Sequence, residues 1–182
     1  MSSADSDEAA LVALGKLHDE IDREARALAD RHGSRIRCRR GCSACCVDGL
    51  TVTRIEALRI RRAYPALLKS ESPHPEGSCA FLDSDGACRI YDHRPTVCRS
   101  QGLPLRVLFE NETLEIEERR DICPLNLEGG PALESLDEED CWLVGTYELR
   151  LNQLDERAFE ESTEPEDGDN GRVALRGLFL AD

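Results

Sequence analysis

The stretch Cys38-Arg39-Arg40-Gly41-Cys42-Ser43-Ala44-Cys45-Cys46 places four thiols in nine residues, and Cys79, Cys88, Cys98, Cys123 and Cys141 follow it. This spacing constrains the chain more than any other feature. At 182 residues the chain can bury a core without covalent staples, so the cysteines do not substitute for hydrophobic burial as they do in very small secreted domains. Residues 1–8 are acidic and polar, without the positive segment and apolar run of a secretory signal. No run approaches the ~18 consecutive apolar residues of a membrane span. The expectation is a cytoplasmic protein that does not enter a membrane. In that compartment thiols stay reduced, and spaced cysteines read as metal ligands or catalytic groups before they read as disulfides.

Charge narrows the partners. The formal net charge of −14 argues against nucleic acid and against anionic membrane, because phosphate neutralisation needs clustered Lys and Arg. The distribution is uneven. Arg31, Arg35, Arg37, Arg39, Arg40, Arg54, Arg59, Arg61 and Arg62 crowd one region, and the acid lies mainly in residues 110–169. These arginines read as a balance to bound thiolates and as partners of the acidic segments.

Along the chain, Leu11, Leu14, Leu17, Ile21, Ala25 and Leu28 recur at three- and four-residue steps, which predicts a helix over 7–32 with Gly33 as its cap. This helix is a candidate contact for a protein partner. His18 falls in its polar part and His32 at its end, so both read as solvated or capping residues. Thr53-Arg54-Ile55-Glu56 is a capping box that opens a helix ending before Pro65. Residues 69–78 read as a loop with an exposed His74. Asp85-Gly86 predicts a tight hairpin carrying Cys79 and Cys88 on its two arms. Pro95 suits the first turn of a short helix bearing Cys98. Residues 103–120 alternate as a second hairpin, with Leu103, Leu105, Val107 and Phe109 on one face and a turn at 110–113, and they lead to Cys123. Residues 134–162 predict a long helix containing an inert, buried Cys141. Residues 163–171 read as a loose linker, and 172–180 as a short terminal segment that docks back. The fold class is α+β: a small, irregular metal-centred domain (34–130) with short hairpins, flanked by an N-terminal helix (1–33) and a C-terminal helix with a terminal segment (131–182), packed as one domain.

Setting Cys141 apart leaves Cys38, Cys42, Cys45, Cys46, Cys79, Cys88, Cys98 and Cys123. Eight thiolates are soft ligands that select Zn²⁺, Fe–S clusters or Cu⁺ over Mg²⁺ or Ca²⁺. They divide naturally into two four-thiolate sites. The adjacent Cys45-Cys46 pair points to two metal positions, because neighbouring residues rarely bend back onto one tetrahedral ion. Arg39, Arg40, Arg94 and Arg99 can hydrogen bond to sulfur and lower the charge. Other readings compete. Cys38-x3-Cys42-x2-Cys45 has the radical-SAM spacing, but the chain is short for that barrel and the other thiols go unexplained. A disulfide scaffold needs an oxidising compartment. A thiol oxidoreductase would use Cys42 and Cys45 near Arg39 and Arg40. His93 is a further candidate ligand.

The combined order of these elements resembles the YkgJ-type cysteine-cluster family: Cys-x3-Cys-x2-Cys-Cys, then Cys-x-Phe-Leu, Gly-x-Cys-x-Ile-Tyr-x-x-Arg-Pro-x-x-Cys-Arg and a late Cys-Pro. The resemblance spans residues 36–125. It implies a zinc- or iron-chelating domain with those eight cysteines as the metal site, and it matches Ile90, Tyr91, Arg94, Pro95 and Arg99 besides. The family's named motif has two residues between its first two cysteines, where this chain has Arg39-Arg40-Gly41. Two functions follow as expectations. One is a metal-binding protein that coordinates zinc or an Fe–S cluster through its thiolates. The other is an Fe–S oxidoreductase or transferase whose substrate lies near Tyr91, Arg94 and Arg99.

Overall fold

In the computed structural model, residues 3–160 and 171–179 are described. The order is α1 (Ser3–His32), β1 (Thr51–Thr53), α2 (Arg54–Ala63), α3 (Pro65–Ser70), α4 (Thr96–Arg99), β2 (Leu105–Glu110), β3 (Ile116–Asp121), β4 (Trp142–Leu143), α5 (Thr146–Ala158) and β5 (Arg172–Ala174), with short 3₁₀ turns between them. The fold is α+β, as expected from the sequence. The chain forms two compact units. One is built from residues 1–17, 40–95 and 151–182, the other from 18–39 and 96–150.

In the first unit, β1 pairs antiparallel with β5, Val52 opposite Val173. The expected docking of the terminal segment is therefore a strand pairing. The capping box forms at the start of α2: the Glu56 carboxylate accepts from the Thr53 N–H at 3.3 Å and from its hydroxyl at 3.1 Å. A second acid completes this helix start. Asp155 on α5, itself buried, accepts from the Ile55 N–H at 2.8 Å and from Arg54 Nε at 3.0 Å. Two carboxylates thus satisfy helix-start donors that have no intrahelical acceptor. Val52, Ala57, Ile60, Phe81, Leu82, Ile90, Val173, Leu175 and Leu178 form the core beneath, joined by Cys79.

Pro65 both ends α2 and starts α3, whose last two residues, Lys69 and Ser70, take helix where a loop is expected. His74 is half-buried rather than exposed. The 79–88 hairpin forms as expected. Leu82 bridges Cys88, and Gly86 takes φ +76° at the turn, where the Asp83 carboxylate accepts from the Asp85 and Ala87 amides.

In the second unit, β2 and β3 make the expected antiparallel hairpin, from Leu105–Asp121 to Glu110–Ile116. Its turn lies one residue later than expected. Asn111 Oδ1 accepts from the Thr113 and Glu115 amides, and this holds Leu114 at φ 64°, in the turn rather than in a strand. The predicted long helix over 134–162 is the main correction. Residues 133–140 form two 3₁₀ turns, Trp142–Leu143 is a strand parallel to β2, and the helix begins only at Thr146. The Trp142 and Val144 amides donate to the carbonyls of Pro104 and Arg106 at 2.8 and 2.9 Å, so edge pairing with β2 overrides the helical period. Gly145, at φ +106°, makes the corner, and the Glu148 carboxylate accepts from its amide. Cys141 therefore lies in an extended segment, buried with Ile122, Leu133 and Leu136.

His18 also departs from expectation. It is only 2% exposed, because both ring nitrogens have partners. Arg99 Nη2 donates to Nδ1 at 3.0 Å, and Nε2 meets the Thr96 hydroxyl at 3.2 Å. His32 Nε2 lies 2.8 Å from the Asp140 carbonyl, an anchor between segments rather than a solvated end. The expected linker at 163–171 lies outside the described residues except for Gly171.

Asp155→Ala removes the acceptor for the buried Ile55 amide. It should destabilise the protein by about 1–3 kcal/mol, read as a lower urea midpoint with an unchanged slope.

Candidate metal centre

All nine cysteines lie among the described residues, and none is in a disulfide. The first unit carries Cys42, Cys45, Cys46, Cys79 and Cys88, and the second carries Cys38, Cys98, Cys123 and Cys141.

In the first unit the cysteine loop and the hairpin meet at two points. At the base, the Cys79 amide donates to the Cys46 carbonyl at 2.9 Å. At the tip, Gly86 faces the Gly41 carbonyl and the Ser43 side chain so closely that a Cβ there would lie 3.4 and 3.5 Å from them. Gly41 itself has φ +83°, a left-handed conformation that glycine adopts at little cost. The loop is folded locally by the Cys46 amide, which donates to the Ser43 carbonyl. Asp48 fixes its far end. Arg176 donates to both carboxylate oxygens at 3.1 and 2.8 Å, and the Gly49 and Gly77 amides donate as well. The Arg176 contact, then these amides, hold the Asp48 carboxyl below its usual range. Arg176 also bonds the carbonyls of His74 and Ser78, so one guanidinium joins the cysteine loop to the approach to Cys79.

This scaffold brings Cys46, Cys79 and Cys88 against one core cluster. Burial pushes the Cys79 and Cys88 thiols above their ordinary range, and Cys79 raises Cys88 further while Arg94 and Arg89 oppose the rise. Cys45 goes the other way, down to about 6, because the Cys46 thiol donates to its sulfur. The two adjacent sulfurs therefore stand within hydrogen-bond reach of each other. One thiolate forms readily in this group while the buried thiols hold their protons. A divalent cation would reverse that preference by favouring every thiolate it touches. Cys42 sits half-buried in the same loop, next to Gly41.

In the second unit, Cys38 follows a 3₁₀ turn at Gly33–Arg35 in extended backbone. Its sulfur lies 3.7 Å from Asn126 Nδ2 and 3.9 Å from the Gln101 carbonyl. It rests on Gly102, where any Cβ would overlap it. Cys123 precedes the 3₁₀ turn Pro124–Asn126, and its carbonyl accepts from the Asn126 amide at 2.7 Å. Cys98 lies half-buried on α4.

The arginines divide in role. Arg39 and Arg40 are exposed. Arg94 lies over the Tyr91 ring at 4.4 Å, donates to the Tyr91 carbonyl and bears on Cys88 electrostatically. Tyr91 is 60% exposed. Arg99 is turned to Asp22 at 2.6 Å and to His18. His93 Nδ1 meets the Tyr64 hydroxyl at 3.0 Å and its ring packs edge-on against Tyr64. Among the described residues, no group of three or more His, Cys, Asp or Glu side chains is already gathered around one metal position. The donor set fits a soft metal in kind and in pairing: reduced thiols, two of them in mutual contact, on segments tied together by backbone hydrogen bonds. Sequence reasoning missed Asp48, Gly102 and Asn126. An Asp-Gly next to the cysteine loop and an Asn two residues after Cys-Pro were the available signals, and neither says what it bonds.

The fold and its thiols define a cysteine-rich α+β protein whose nine cysteines are free of disulfides. Residues 37–124, just under half of the chain, match the model of the CxxCxxCC family, described as a putative zinc- or iron-chelating domain. No curated protein and no solved structure matches the chain. No helix among the described residues is long and apolar enough to cross a membrane.

In reduced, metal-free protein, Cys45 should be alkylated by iodoacetamide with a midpoint near pH 6, while Cys79 and Cys88 should react only above the ordinary thiol range of about 8.5. Peptide mass spectrometry across pH reads all three. Cys46→Ala should return Cys45 to the ordinary range.

Proposed function

We propose that the protein binds zinc or an Fe–S cluster through the thiolates of Cys38, Cys42, Cys45, Cys46, Cys79, Cys88, Cys98 and Cys123, and that the metal completes the fold around the cysteine segments. The observation that carries this reading is the hydrogen bond from the Cys79 amide to the Cys46 carbonyl, at 2.9 Å. It sets two cysteines from separate segments side by side in backbone that has no other evident need to meet. Cys45 hydrogen bonds with Cys46, and Cys79 bears electrostatically on Cys88, so the two segments this joint connects each bring thiols that feel one another. The thiolates would supply charge and soft donors to the metal. Arg89 and Arg94 would offset the charge that builds up at Cys88.

Metal binding at thiolate sites contributes on the order of 10 kcal/mol, comparable with the whole stability of a domain. Anaerobic purification followed by metal analysis and a visible spectrum tests the reading. A colourless protein with stoichiometric zinc excludes the cluster. A brown protein with iron and acid-labile sulfide excludes zinc. A chelator with reductant should lower the unfolding midpoint and loosen the cysteine segments in hydrogen exchange. Cys79→Ser and Cys98→Ser should each reduce metal content. If both retain it in full, the eight-ligand assignment is wrong.

A further inference from the structure

We infer that Asn126 is a positioning residue for Cys38: its side-chain amide and the bare backbone of Gly102 form a seat that orients the Cys38 sulfur as a thiolate ligand. This rests on the reading that thiolates hold the metal. Asn126 lies just beyond the matched family region and is fully buried. Each of its polar groups is engaged. Its amide donates to the Cys123 carbonyl at 2.7 Å, and its carbonyl accepts from Arg35 Nε at 2.9 Å. Oδ1 accepts from the Arg37 amide at 2.9 Å. Nδ2 donates to the Gly102 carbonyl at 2.8 Å and to the Cys38 sulfur at 3.7 Å. One side chain therefore joins three separate segments, two of which carry candidate ligands.

The residue type is constrained. Asp would keep the acceptor and lose both Nδ2 donations. Leu would lose everything. Gln has one methylene too many for a closed site. Gly102 is constrained independently, since its φ is +93° and a side chain would overlap the Cys38 sulfur. The sulfur is thus held against backbone with an N–H directed at it. The contact to the Gln101 carbonyl uses the thiol proton, which a metal would replace.

A second observation agrees. Arg35 is 1% exposed, donates only to the carbonyls of Asn126 and Leu127, and leaves Nη1 without a partner among the described residues. A buried cation bonded only to carbonyls is costly. Arg35 holds the backbone of the same residue whose side chain reaches Cys38, so this buried guanidinium fixes the seat from the other side.

Outer groups that orient a ligand typically change metal affinity by roughly 10–100-fold when removed. Cobalt(II) is the probe, titrated into the full-length reduced protein against a chelator, with the thiolate-to-cobalt band recorded. Asn126→Asp should weaken binding within that range and move the band to lower energy, since a sulfur without its donor is more electron-rich. In a Cys38→Ser background the same substitution should have no further effect. An equal loss in that background, or no loss in either, overturns the assignment. Should Asn126→Asp fail to fold, the wild-type protein supplies the test: the Asn126 side-chain amide resonance should shift on cadmium binding, and this shift should vanish in Cys38→Ser. No shift in wild type overturns the proposal. Wild-type protein that takes up neither cobalt nor cadmium sinks the metal reading beneath it, which a normal wild-type titration beside an unaffected Asn126→Asp does not.

Discussion

One backbone hydrogen bond organises the first unit: the Cys79 amide on the Cys46 carbonyl. Thiols cannot gather by themselves, because each one that ionises raises the cost of the next. Backbone joins them first. The cysteine loop is folded by its own amide-to-carbonyl turn, the hairpin by Asp83, and Gly86 lets the two lie in contact. The hydrophobic core around Phe81 then holds this arrangement, and its burial keeps the Cys79 and Cys88 thiols protonated. Backbone assembly in this unit therefore does not depend on ionising the buried thiols of Cys79 and Cys88.

The second unit solves the same problem with a side chain. Asn126 does for segments 35–38, 101–102 and 123–126 what backbone pairing does in the first unit. A buried amide is well suited because it carries donor and acceptor on one short stem and has no charge to desolvate. The arrangement also explains a small departure from the family motif. The extra residue in Arg39-Arg40-Gly41 lengthens the chain just after Cys38, whose own position is set from the other side, by contacts to Gly102 and Asn126.

Local features were legible in the sequence. The stripe from Leu14 to Leu28, the box Thr53–Glu56 and the Asp85-Gly86 turn each depend on residues within a few positions of one another, and each formed. Features decided by distant partners were not. Trp142-Leu143 carries a helical period but pairs with β2. His18 looks polar but is buried, because residues 78 and 81 positions away supply its hydrogen bonds. Asn126 looks like an ordinary post-proline turn residue until its partners near residues 37 and 102 are known. The cysteine list itself could be written from spacing. Which sulfurs are neighbours could not, and the hydrogen bond between Cys45 and Cys46 emerges only in the structure.

Arg176 and the strand before it come from far along the chain, yet they clamp Asp48 and pair with Thr51-Val52-Thr53 on either side of the cysteine loop's exit. During synthesis the cysteines leave the ribosome well before these partners exist. The nascent cysteine loop therefore meets the cell's oxidant pool unclamped, and only later do β5 and Arg176 fix its exit. On the proposed metal-binding reading, early capture would shield these sulfurs from oxidation during the interval before β5 arrives.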